Sequence, residues 1–460
     1  MPGRLLEDAL RIWRAGLEAV RPKRLFAESV AVRQGVLTVR DSRGDLAATI
    51  DLSKVGRVFV VGGGKAGAAM AGGLEAAFGH APEAKQLDGL LSVPADCVSE
   101  TRAIRLVAGR PAGVNEPRAE GAAATEQMLR LVASADAEDL VICLLSGGGS
   151  ALLTAPLSPV TVDDKAAVVR LMSDRGATIE EINAVRQQVS RVKGGGLARA
   201  CRAGRLLTLV ISDVMGDPLD LIASGPTVEC RSTPADALAI LKRHGLAGDA
   251  ALQRVVETLR AKPAETAETA LLTTDATTVM LANNAMAVDA AGAEAERLGY
   301  RYHMTSANGP EGLAEDLGRS LAEGALRLRD HASPEAPNCL ISGGEPTVEL
   351  APPDIRGKGG RNQQLVLAAQ QTLGDAERVA IVSGGTDGED GPTDAAGAFS
   401  DAAVSRRARD AELDIADTLR RNDAYTFFEK CDALLRTGPT GTNVCDLRVV
   451  TIGDTEETGG

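Results

Sequence analysis

Lys65 stands in FVVGGGKAGAAMAGGL, after three glycines and before a helical pattern. A lysine opening a helix beside glycines suits holding a phosphate or carboxylate oxygen. Three further apolar runs stop in a serine and glycines: VICLLSGGGSALL, CLISGGEPTV and AIVSGGTDGEDGPTDAAGA. Ligands of open parallel sheets sit beyond the carboxyl ends of the strands, where glycines let backbone N–H groups approach an anion. The recurrence points to a phosphate-rich site drawing on Gly62, Gly64, Ser146, Gly147, Gly148, Gly149, Ser150, Glu345, Gly385 and Thr386. A basic glycine-rich loop, DIRGKGGRNQQLVLAAQQTLG, adds Arg361 and Asn362 in the first turn of an amphipathic helix. A helix N-terminus with a guanidinium can neutralise the charge of a phosphoryl-transfer transition state.

Thr178 and Glu181 make a capping box for a helix expected to run to about Lys193. Ile182, Val185, Val189 and Val192 form its apolar stripe, and Asn183, Arg186, Ser190 and Lys193 fall on an adjoining one. Cations at the border of buried surface point to a ligand rather than to solvent. The run LLTLVISDVMGDPLDLIASGPT then places Asp213 just past a strand, followed by Asp217, Asp220 and the turn Ser224, Gly225, Pro226, Thr227. A second acidic group holds Asp387, Glu389, Asp390 and Asp394. Magnesium takes one or two protein carboxylates and keeps its waters and phosphates, so Asp217, Asp387 and Asp390 are candidate metal ligands and Asp213 a candidate base or ligand. Cations, glycine turns and carboxylates with only 4 histidines are the parts for phosphoryl transfer. Gly62, Gly64 and Gly67 also satisfy G-x-G-x-x-G, which keeps a nicotinamide-dependent reductase in view. That fingerprint wants an acid at the end of the next strand, where Asp88 comes too early and Asp96 too late. No GxxxxGK[ST] motif occurs, which excludes a P-loop enzyme.

Short apolar strands, each followed by a helical pattern, must position these groups, and they indicate an α/β protein with a largely parallel sheet. The clearest are Val58 to Val61, Leu140 to Leu145, Leu206 to Ile211, Thr278 to Leu281, Cys339 to Ile341 and Val379 to Val382. A length of 460 residues excludes a single small module. Aromatic content of 2% and a net charge of -13 argue against a nucleic-acid binder. The start MPGRLLEDALRIWRAGLEAV reads as an amphipathic helix rather than a secretory signal, and no apolar run is long enough for a membrane span. The 7 cysteines lack any CxxC pairing and read as reduced thiols of a cytoplasmic protein. Residues 261 to 275, AKPAETAETALLTTD, suit a surface excursion, so domains of 1–260 and 261–460 are expected. Pattern alone leaves open whether the last strand, in VCDLRVVTIG, stays in the second domain or crosses to the first.

These motifs resemble the class II glycerate 2-kinases, whose C-terminal half is called the MOFRL domain. The resemblance is carried by GGGKAGAAMA, LLSGGGSALL, INAVRQQVSRVKGGGLA, ISDVMGDPLDLIASGPT, LANNAMAVDAA, SGGEPTV, GKGGRNQQLVLA, SGGTDGEDGPTDAAGA and TGPTGTNVCDL, in order between residues 62 and 447. It implies a larger Rossmann-like α/β/α sandwich and a smaller α/β domain with the active site in the cleft. It also implies ATP and Mg2+ as cofactors, and phosphorylation of the carbon-2 hydroxyl of glycerate to 2-phosphoglycerate. Lys65 and Arg361 match the residues regarded as catalytic in the family. A homodimer is left open. Three departures stand out: Arg110 where a histidine is common, Gln364 where glutamate is common, and Cys445 where asparagine is common. In the first of these loops, Asn115 replaces the family aspartate. The competing activity is an NAD(P)H-dependent hydroxypyruvate reductase.

Overall fold

The computed structural model describes residues 2–79, 85–114, 116–262, 274–331 and 333–453. The chain divides into two compact units, Pro22–Ala282 and a second made of Met1–Arg21 with Asn283–Gly460.

The first unit opens with a small antiparallel sheet of β1 (Val30–Arg33), β2 (Val36–Arg40) and β3 (Leu46–Asp51). Its main sheet holds β4 (Val58–Gly63), β5 (Leu87–Pro94), β6 (Ile104–Arg110), β7 (Leu140–Leu145), β8 (Arg205–Ile211) and β9 (Asp275–Ala282). All neighbours pair in parallel and the order is β6-β5-β4-β7-β8-β9. The chain therefore starts in the middle, builds outward on one side, and returns to build outward on the other. This is the doubly wound Rossmann arrangement, and its order reverses between β4 and β7. Both central strands are buried along their length, as parallel strands covered by helices on both faces must be. Gly63 pairs with Leu145, so the turns after β4 and β7 leave the sheet side by side.

Capping boxes start the helices Val162–Asp174, Ile179–Gln188 and Pro234–Arg243, with Thr161, Thr178 and Thr233 each bonded to the amide three residues on. The middle one stops at Gln188, short of the expected Lys193. Ser190 leaves the helix to bridge Pro156, and the amide of Arg191 donates to Ala155 O at 2.8 Å. Strand-like pairing with residues 155–157 thus replaces the last helical turn.

The second unit holds β10 (Tyr302–Ser306), β11 (Cys339–Gly344), β12 (Val379–Gly385), β13 (Gly397–Ser400), β14 (Leu434–Leu435) and β15 (Asp446–Ile452), in the order β10-β11-β15-β12-β13-β14. β15 runs antiparallel to both β11 and β12. The last segment therefore lies inside the second unit, near the centre of its sheet. Its side chains alternate, so that Leu447 and Val449 join a core with Ile12, Trp13, Val288 and Ala291, while Val450 faces Ala325, Leu365 and Ile381. Helices Pro2–Ala19 and Asn284–Arg297 cover the first face, and Ala314–Asp330 and Arg361–Leu373 the second.

Contact thus divides the chain after residue 282, not at 260, and assigns residues 1–21 to the second unit. Two physical reasons apply: β9 completes the first sheet beyond the 261–275 segment, and the buried Trp13 indole donates to Leu447 O at 2.9 Å. No helix among the described residues is long and apolar enough to cross a membrane.

Candidate active site

At the reversal point of the first sheet, the two glycine turns interlock. A Cβ on Gly62 would sit 2.0 Å from Leu144 O, and one on Gly64 would sit 2.1 Å from Ser146 Oγ. Their φ values of 138° and 148° also lie where side chains are rarely tolerated. Gly62 and Gly64 are therefore where the second turn seats against the first. The amides of the first turn are already engaged. Gly64 donates to Ser92 O, Lys65 to Gly147 O, Ala66 to Ser146 Oγ and Gly67 to Gly64 O. The second turn differs: no hydrogen-bond partner is found for the amides of Gly147 and Gly148 among the described residues. The Lys65 stem and the Arg110 guanidinium both pass Gly148, since a Cβ there would lie 3.6 Å from Lys65 Cγ and 3.3 Å from Arg110 Nη2. Lys65 is half-buried and Arg110 is buried.

The turn continues through Gly149, which lies against Ala223, into Ser150. Ser150 Oγ is 2.9 Å from Ser224 Oγ, which in turn donates to Asn183 Oδ1 at 2.8 Å. Ala223, Ser224 and Gly225 all have positive φ, and for the first two residues this is strained backbone. Arg186 Nη2 and Lys193 Nζ both donate to Ser150 O, at 2.7 and 2.8 Å. Lys193 reaches this point from outside the helix that was expected to carry it. Thr227 accepts a bond from Thr208 Oγ1 and is buried, a framework role. Asp213 and Asp217 follow β8 and are partly buried, with Asp217 in the left-handed region at φ 54°.

In the second unit, Arg361 opens the helix Arg361–Leu373. Its Nε and Nη2 fork onto the two oxygens of Asp446 at 2.7 and 2.9 Å, and Nη1 lies 2.8 Å from Glu345 Oε1. Burial works against the Arg361 charge, but Asp446 and Glu345 more than offset it and hold the group above its ordinary value. Glu345, just past β11, is raised by burial, against Arg361, with Asp446 and Asp387 adding to the rise. Asp446 is fully buried at the head of β15, and Asn284 Nδ2 donates to its carbonyl at 3.0 Å.

Asn362 and Asp390 were expected at the ligand and the metal, and the structure places both inside the frame. Asp390 accepts from the amides of Asn362 and Gln363 at 3.0 and 2.8 Å, which caps the helix that presents Arg361. Burial pushes its carboxyl up to about 7, against those two amides. The Asn362 side chain is held between Ser383 Oγ and Asp390. Thr386 is buried and binds Cys445 O and the Val444 amide. Gly385 lies beside Asp387 and Asp446, and Asp387 Oδ1 accepts the Glu389 amide at 3.1 Å.

Residues 8–260 match the family described as a domain of unknown function, DUF4147, and residues 338–446 match the MOFRL family. A glycerate kinase of Bos taurus is 35% identical, over 96% of this chain and 92% of its own length. The chain belongs to the glycerate kinase family.

The crystal structure of glycerate kinase from Thermotoga maritima superposes with a TM-score of 0.81 at 31% identity, covering 98% of this chain and 100% of that one. A putative hydroxypyruvate reductase of Agrobacterium vitis is 39% identical over 86% of this chain and 88% of its own length. Two of the departures from the glycerate kinase pattern have visible settings. Gln364 is buried and donates to Glu315 and Leu419 O at 3.0 and 2.9 Å. Cys445 has φ 69°, a conformation asparagine tolerates better than cysteine does. Asn115 lies outside the described residues.

Sequence reading missed Asp446 and Lys165. Asp446 is 85 residues from Arg361, and nothing local in TGPTGTNVCDL marks it as the partner of that arginine. Lys165 sits in a helix as VDDKAAVV, with nothing local to mark it as buried.

Proposed function

We propose that the chain is an ATP- and magnesium-dependent kinase that phosphorylates the carbon-2 hydroxyl of D-glycerate, giving 2-phosphoglycerate. One observation carries the choice over hydride transfer. A dinucleotide pyrophosphate needs the amides of the G-x-G-x-x-G turn, and here four successive amides of that turn are bonded within the protein. The unpartnered amides lie instead in the second turn, beside the Lys65 stem and the Arg110 guanidinium, a setting suited to phosphoryl groups.

In this reading the glycerate hydroxyl oxygen forms a bond to the γ-phosphorus and the bond to the bridging oxygen of ADP breaks. The hydroxyl proton passes to a carboxylate, for which Asp213 past β8 is the assigned acceptor. Lys65 and Arg361 balance charge on the groups in transfer, and Asp446 and Glu345 hold the Arg361 fork in one orientation. Bound magnesium would neutralise phosphate charge. Asp217 and Asp387 are the side chains assigned to it. Among the described residues no group of three or more His, Cys, Asp or Glu forms a ready-made metal cage, and magnesium arriving with a triphosphate needs only one or two such oxygens. The seven free cysteines fit a reducing compartment, the cytoplasm.

Incubation with D-glycerate, ATP and magnesium should yield a product that enolase dehydrates directly. A product that enolase accepts only after a phosphoglycerate mutase is added would move the phosphate to carbon 3.

A further inference from the structure

Lys165, Arg186 and Lys193 are 1%, 6% and 1% exposed, and none of the three has a carboxylate partner among the described residues. Buried charge without a counter-charge is costly, and a protein keeps it where a ligand supplies the anion or where the group gives up its proton. The lysines have carbonyl cages. Lys165 Nζ donates to Arg186 O and Val189 O at 3.2 and 3.4 Å, closing the C-terminal end of the helix Ile179–Gln188. Lys193 Nζ donates to Ser150 O and Ala223 O, tying two turns together. Arg186 is different. One of its terminal nitrogens binds Ser150 O, its Nε is buried without a partner, and a guanidinium does not neutralise at physiological pH. Beside it runs the hydroxyl and amide chain Ser150, Ser224, Asn183.

We infer that Arg186, backed by Lys193 and Lys165 and flanked by Ser150 and Ser224, is an oxyanion subsite, and that the oxyanion is the carboxylate of the hydroxy-acid substrate. This rests on the kinase reading and assigns its carboxylate, leaving Lys65 and Arg361 to the phosphoryl groups. The carboxylate is favoured over a phosphate by charge matching. Burial pulls Lys165 and Lys193 well below the usual lysine range, whereas Arg186, at about 10, stays charged. One permanent cation in a closed setting matches one monoanion, while a triphosphate needs several open contacts.

The test compares D-glycerate with its uncharged amide, glyceramide, by titration calorimetry on the full chain. The wild type should bind glycerate roughly tenfold to a hundredfold more tightly, the range for a charge-assisted hydrogen bond. Arg186→Gln should erase that preference and raise the KM for D-glycerate by a similar factor, with the KM for ATP changed less than about twofold. Arg186→Lys, which loses the fork and puts in the same burial a group that can give up its proton, should also lose most of the preference, and it carries the same comparison if the glutamine variant fails to fold. A wild type that binds both compounds alike, or an Arg186 variant that keeps the preference, overturns the subsite. So does a rise in the KM for ATP with that for glycerate unchanged, which would make it a phosphate site. A wild type that prefers glycerate to glyceramide yet transfers no phosphate would sink the kinase reading and leave the subsite standing.

Discussion

Arg361 shows how the cation proposed as catalytic is held. Its fork meets Asp446, which is fully buried at the start of β15, and its remaining nitrogen meets Glu345. Asp446→Asn keeps the shape but offers an amide donor where the guanidinium needs an acceptor. We expect kcat to fall about tenfold to a hundredfold with little change in the KM for glycerate, since orientation of a charged donor is lost. Asp446→Glu should recover part of the loss. Lys65→Ala removes a cation from the glycine turn and should lower kcat by roughly 10²–10³ with an unchanged circular dichroism spectrum. Near-normal turnover in either variant would remove that residue from the account. The turns that carry Lys65 and Arg361 were legible in the sequence because glycines mark them. Asp446 and Lys165 were not, because their roles come from pairing between segments distant in the chain.

At the scale of elements, the strands β4, β7, β8 and β9 and the Thr178 capping box could be read from local pattern, and the end of the helix at Gln188 could not. Local periodicity continues through Val189 and Val192, but pairing of Ser190 with Pro156 overrides it. Cys445 holds φ 69° at the approach to β15, so Cys445→Asn should stabilise by about 0.5–1 kcal/mol, measured as a raised urea midpoint. Asp390 gives a pH signature. Its folded carboxyl is raised from 3.8 to about 7, so across that window the folded state binds more protons than the unfolded one. Stability from this group therefore falls as pH rises from about 4 to 7. Asp390→Asn should flatten the slope of stability against pH in that interval, and an unchanged slope would show that Asp390 does not titrate there.

For the whole molecule, the fold class was legible and the assignment of the first helix was not. An amphipathic helix needs an apolar partner but does not name one. Here Trp13 joins the core that holds Leu447 and Val449 of β15, which makes the lone tryptophan a reporter on the second unit. Trp13→Ala should destabilise that unit by about 3–5 kcal/mol. Hydrogen exchange should quicken in β12 and β15 while β4 and β7 keep their protection. Phosphoryl transfer is separated from hydride transfer most directly by one paired assay on the purified chain. With D-glycerate, ATP and magnesium, a kinase should give ADP and an equal amount of 2-phosphoglycerate, and no NADH oxidation when hydroxypyruvate is supplied instead. Oxidation of NADH by hydroxypyruvate, with no phosphorylated glycerate formed from ATP, would contradict it.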